Sequence, residues 1–124
     1  MTPAQDRLKR QLVAALEANL RRRADRPAVP EAGVFLWRAF LELDGTRSFG
    51  ANGPSPISFA EVEAWARLNG YPLRPWHVAV IRAMDSALIR AFGEEVKRQQ
   101  GARKDGNKSR SALTPAFFDA RFAG

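Results

Sequence analysis

A chain of 124 residues has the size of one small domain, and 45% apolar content with three Trp and eight Phe is enough for a packed core. With no Cys and a single His, it excludes disulfide staples, thiolate metal sites, Cys nucleophiles and multi-His metal clusters. The net charge of +7 is uneven: residues 1–29 carry seven basic and three acidic side chains, residues 30–93 six of each, and residues 94–124 seven and four.

The first helix is predicted from about Pro3 to Arg23. Thr2 can cap it and Pro3 suits its first position. Leu8, Leu12, Leu16 and Leu20 recur every four residues and make one apolar stripe. Asp6→Arg10 and Glu17→Arg21 have the spacing of i,i+4 ion pairs. Arg21, Arg22 and Arg23 suit the negative end of the helix dipole. Pro27 and Pro30 then break the chain.

A second helix is expected from near Pro30 to Leu43. Val34, Phe35, Leu36, Trp37, Phe40, Leu41 and Leu43 cover more than one face, which predicts the most buried helix. Residues 44–56 (DGTRSFGANGPSP) carry turn chemistry throughout, with Phe49 as the residue that pins the loop to the core.

The third helix has the clearest start. Ser58 and Glu61 form a capping box, with Ile57 and Val62 spaced as a hydrophobic staple. Trp65 and Leu68 continue the period, and Gly70 ends the helix as a left-handed cap. After a stiff connector, Pro75 opens a fourth helix that turns Trp76, Val80, Ile81, Met84, Leu88 and Phe92 inward and runs to about Gln99. Residues 101–111 are polar, Gly-containing and basic, and are expected to be disordered in isolation. Thr114-Pro115 then restarts a short helix carrying Phe117, Phe118 and Phe122, which either fold back on the core or dock elsewhere. The expected fold is all-α, a small bundle of four main helices plus a short C-terminal helix. Its divisions are residues 1–29, a helical domain at 30–93, and a basic, aromatic arm at 94–124.

Chemistry finds few parts in this chain. His77 falls in the first turn of the fourth helix, where the dipole disfavours its charged form. Asp85 lies within an apolar pattern and is expected to pair with Arg82 or face a helix terminus. Glu61 is taken up by its cap. The Gly-rich loop lacks the Gly-Lys-Ser/Thr ending of a phosphate cradle. Neither an enzyme, a metal site nor a cofactor is indicated. The third and fourth helices resemble a helix-turn-helix in outline, but a recognition helix needs base-reading side chains where this one has Pro75-Trp76-His77-Val78-Ala79-Val80. The basic ends read either as solvated segments or as contacts for nucleic acid, without sequence preference, or for an acidic protein face. No apolar run approaches the roughly 18 residues that span a bilayer, and no secretory signal is recognisable, so an intracellular location without membrane contact is expected.

One run carries more. Gly53-Pro54, Pro56-Ile57-Ser58, Glu61-Val62, Ala64-Trp65, Leu68, Gly70, Leu73, Pro75-Trp76 and Ile81 to Asp85 resemble the tail assembly chaperones of long-tailed bacteriophages and prophages. There an aromatic-rich helix and a Gly/Pro loop precede a capped helix ending in Gly, and Pro-Trp opens the next helix. The upstream helix around Trp37 is similar too, and the resemblance covers about residues 31–92. It implies a non-enzymatic protein of the host cytoplasm that binds the tape measure protein, or other tail proteins, until the tail tube forms. Such proteins are often made as frameshift products. In this reading Trp37, Ser58, Glu61, Trp65, Gly70, Pro75, Trp76 and Asp85 are scaffold. Leu8, Leu12, Leu16, Leu20, Phe117, Phe118 and Phe122 are candidate partner contacts, or else core, with self-association through the leucine stripe as a further option. His77 departs from the pattern, standing where an acidic residue is expected after Pro-Trp. The basic termini also lie outside it and suggest, as an alternative, a small structural virion protein or one that contacts nucleic acid.

Overall fold

A computed structural model describes residues 1–21 and 28–104. Helix α1 spans Pro3–Leu20, a short 3-10 turn at Glu31–Gly33 leads into α2 at Val34–Asp44, and two-residue strands β1 (Phe49–Gly50) and β2 (Gly53–Pro54) follow. Helices α3 (Phe59–Asn69) and α4 (Pro75–Lys104) complete the order. The chain is mostly helical, as expected. The loop holds a small antiparallel strand pair with Phe49 opposite Pro54, which period-2 patterning could not reveal in segments of two residues. The expected helix around Phe117 lies outside the described residues.

The start signals work as local chemistry predicts. Thr2 and Gln5 form a full capping box, as do Ser58 and Glu61, so two otherwise unpaired backbone N–H groups are satisfied at each helix start. Gly70 ends α3 at φ 70°, where a side chain would be strained. Gly53 has φ 112°, and an added Cβ would lie 2.5 Å from the Phe92 ring, so the hairpin needs glycine to sit against α4.

The leucine stripe is internal. Leu8, Leu12, Leu16 and Leu20 are all buried, in one cluster with Leu36, Trp37, Phe40, Val80, Ile81, Met84 and Leu88. The stripe is therefore not exposed in this structure. The reason is simple: α1 packs along α4, and its stripe is the face that α4 covers. Residues 8–20 thus share a core with residues 36–88. Asp6 pairs with Lys9 at 3.4 Å and with Arg10, but the expected Glu17–Arg21 pair is replaced by bridges between helices. Arg21 reaches Glu94 at 3.5 Å and Arg90 reaches Glu17 at 4.0 Å. Both bridges advance by four residues on each helix in the same sense, so α1 and α4 run parallel. They are exposed and add little to stability.

A buried ionic knot fixes the loop. The Arg47 side chain is 1% exposed and donates Nε–H to Asp44 Oδ1 at 2.8 Å and Nη2–H to Asp85 Oδ1 at 2.6 Å. Its Nη1 donates to the Ser55 carbonyl at 2.8 Å, and the Ile57 N–H donates to Asp85 Oδ2 at 3.0 Å. Asp85 therefore pairs with Arg47 and not Arg82, and through the Ile57 N–H it faces the start of α3, the other of its two expected positions. Its place in the apolar pattern of α4 points it inward, where the Arg47 guanidinium and the Ile57 N–H meet it.

Two stability outcomes follow from burial. Leu16→Ala, at a fully buried site, is expected to lose about 2–5 kcal/mol in urea unfolding. Asp85→Ala strands the Arg47 cation and is expected to lose about 3–5 kcal/mol by the same measurement, with a loss under about 1 kcal/mol contradicting the knot.

Candidate functional site

Among the described residues no group of three or more His, Asp or Glu could hold a metal ion. What the surface offers instead is apolar. Helix α3 buries only Val62, although seven of its eleven residues are apolar. On one side it faces α2 across a groove of about 260 Å³ lined by Val34, Phe35, Arg38, Glu42, Trp65 and Tyr71. Phe35 is 37% exposed and Tyr71 44%. The Phe35 ring stands edge-on to Tyr71 at 4.9 Å and lies 6.3 Å from Trp65, and Tyr71 lies 5.3 Å from Trp65. Such ring pairs hold each other in place without being covered. Trp65 is half-buried and donates its Nε1–H to Glu42 Oε1 at 2.9 Å, which ties α3 to α2.

On the other side, α3 faces the start of α4 across a second groove of about 430 Å³, with an apolar lining of Phe59, Val62, Ala66, Leu73 and Val78. Phe59 is 61% exposed, and the Arg82 guanidinium carbon sits 4.2 Å from its ring centroid. Leu68 is also exposed, contrary to the inward position its spacing suggested. A helix this thinly packed cannot cover every residue of its apolar period.

His77 has a defined task. Its Nδ1 accepts the Arg74 backbone N–H at 2.9 Å, three residues before it. This is the role that Glu61 plays for α3. A carboxylate at position 77 could accept the same N–H, so the departure from the expected acidic residue preserves the cap. Accepting at Nδ1 requires that nitrogen to be unprotonated. Burial first, and the neighbouring Arg74 cation second, lower the His77 pKa below 6.5. Trp76 is half-buried, with its ring 4.1 Å from that of His77, and Pro75 opens the helix.

Trp37 is buried in the core, and Ser58, Glu61 and Gly70 act as caps. Phe117, Phe118 and Phe122 lie outside the described residues. Sequence reasoning missed Arg47 and the exposure of Phe35, Phe59 and Tyr71. The signal for Arg47 was an Asp three residues before it and an Asp at an inward position of α4. Phe59 carried a weaker signal, a large aromatic directly after a cap.

The His77 cap sets a pH dependence. The unfolded chain takes up the His77 proton near pH 6.5 and the folded chain only at lower pH. Between those values the unfolded state holds more protons, so stability falls as pH drops below about 6.5 and levels off beneath the folded pKa. NMR titration of the imidazole is expected to give a value below 6.5, and His77→Gln, which keeps an acceptor, to remove this part of the pH dependence. An imidazole titrating above 6.5 contradicts the assignment.

No helix among the described residues is long and apolar enough to cross a membrane. No curated protein and no solved structure matches the chain. A family model for phage tail assembly chaperones matches residues 13–90, beginning inside α1 and so extending further upstream than the resemblance carried by residues 31–92. That span covers more than half of the chain, including the second half of α1 with Leu16 and Leu20, the Arg47 knot and both grooves beside α3, and it makes this protein a member of the phage tail assembly chaperone family.

Proposed function

We propose that this protein binds the tape measure protein in the host cytoplasm and shields its apolar helical surface until the tail tube assembles around it. Membership of the family implies contact with other tail proteins. The observation that favours a holding role is the apolar surface on both sides of α3. Phe35, Tyr71 and Phe59 stay exposed while a separate, complete core lies behind them. Exposed apolar patches of this kind mark interaction sites, and surrounding charge keeps the free protein in solution. No step of bond chemistry is needed for this role. Phe117, Phe118 and Phe122 extend the same proposal to the C-terminal arm.

Co-expression with overlapping fragments of the tape measure protein from the same phage genome tests the reading. At least one fragment is expected to be captured by affinity pull-down and to gain soluble yield. The double variant Phe35→Ala/Tyr71→Ala is expected to capture less while keeping its thermal midpoint within a few degrees, because both rings are exposed. Failure with every fragment, under conditions where both proteins fold, overturns the proposal.

A further inference from the structure

We propose that the groove between α3 and the start of α4 is a docking site for an amphipathic helix whose apolar stripe is flanked by acidic residues. The inference rests on the chaperone reading and adds to it a place on the surface and a class of partner segment. The apolar lining is mainly aliphatic, formed by Val62, Ala66, Leu73 and Val78, with Phe59 as its aromatic member. Two helices bound it, which is the geometry that receives a helix presenting anchors at i, i+3, i+4 and i+7. An added strand has little to pair with, because the strands among the described residues are two residues long.

Charge selects the occupant. Arg67 lines the groove, and Arg82, one turn beyond Val78, stacks on Phe59. Neither forms an ion pair among the described residues. Glu63 and Arg67 line the groove as one carboxylate and one guanidinium, and Arg82, placed over the Phe59 ring, adds a second cation beside it. Acidic residues beside a bound apolar stripe would meet these two guanidinium groups. A second copy of this chain docked about a two-fold axis would instead set like-charged rims together, which is unfavourable. Single-stranded nucleic acid needs flat rings for stacking, whereas this lining is mostly aliphatic and Glu63 opposes phosphate.

The test uses the full-length protein and three fluorescent probes. Two are model helices of about 18 residues with one leucine stripe, flanked either by Glu or by Lys; the third is an oligo-dT strand. The Glu-flanked helix is expected to bind about tenfold more tightly than the Lys-flanked one. Arg67→Glu/Arg82→Glu is expected to reverse that order, and Phe59→Ala to weaken both peptides. Arg67→Gln/Arg82→Gln gives a second route if the reversal impairs folding, with loss of discrimination expected. Equal affinity for both peptides, indifference to the charge changes, tighter binding of oligo-dT, or a dimer that Phe59→Ala dissolves would each overturn the inference. Its failure is separable from that of the chaperone reading. Capture of a tape measure fragment that is unaffected by the arginine variants removes the groove and leaves the chaperone. Charge-selective peptide binding without capture of any fragment does the reverse.

Discussion

Arg47 is the residue on which the arrangement of this protein turns. Its guanidinium is buried with two carboxylates, one at the end of α2 and one in the middle of α4. It also holds the Ser55 carbonyl, while Asp85 holds the Ile57 N–H. A loop rich in Gly and Pro has little apolar surface with which to hold itself down. Here charge-assisted hydrogen bonds do that work, and they do it in a place where water cannot compete. The bonds are directional, so they fix where the loop leaves α2 and where it enters α3. Removing one partner would leave a buried charge without compensation, which makes the group act as a unit.

The consequences reach the surface. Ile57 immediately precedes the α3 cap, so Asp85 sets the position from which that helix starts. Val62 anchors the first turn in the core, and Trp65 ties the middle to Glu42 on α2. Beyond these points α3 is held lightly. Helices α1, α2 and α4 form the core between them, and α3 lies on top with one buried residue. A helix fixed at its start but thinly covered leaves apolar grooves along both flanks. A rigid base beneath an open, aromatic face is an arrangement that suits the holding role proposed above.

Much of this was legible in the sequence because it is local. Ser58 with Glu61, Gly70, and Thr2 ahead of Pro3 mark helix ends through interactions that span three or four residues. The four-residue leucine period identifies a helix face without reference to anything else. The period does not say what covers that face. Leu8 to Leu20 were equally compatible with a partner surface and with a core, and the parallel packing of α1 on α4 decided for the core. The same limit applied to Leu68, whose spacing matched an inward position that the thin packing of α3 leaves in solvent.

The chain by itself determined the mostly helical class, the capped starts of α1 and α3, the Gly70 stop, the absence of thiol chemistry and the family resemblance, since these depend on residue type and short spacing; it did not determine the end of α4, which runs to Lys104 and not to Gln99. Tertiary structure decided what lies far apart in sequence. It joined Arg47 to Asp85 across 38 positions, replaced the Glu17–Arg21 pair with bridges to α4, and gave His77 the capping task of the missing carboxylate. It also moved the exposed apolar surface from the leucine stripe to the flanks of α3. Burial is shared among all elements that compete for one core, and no single helix carries the information about which of its faces will be covered.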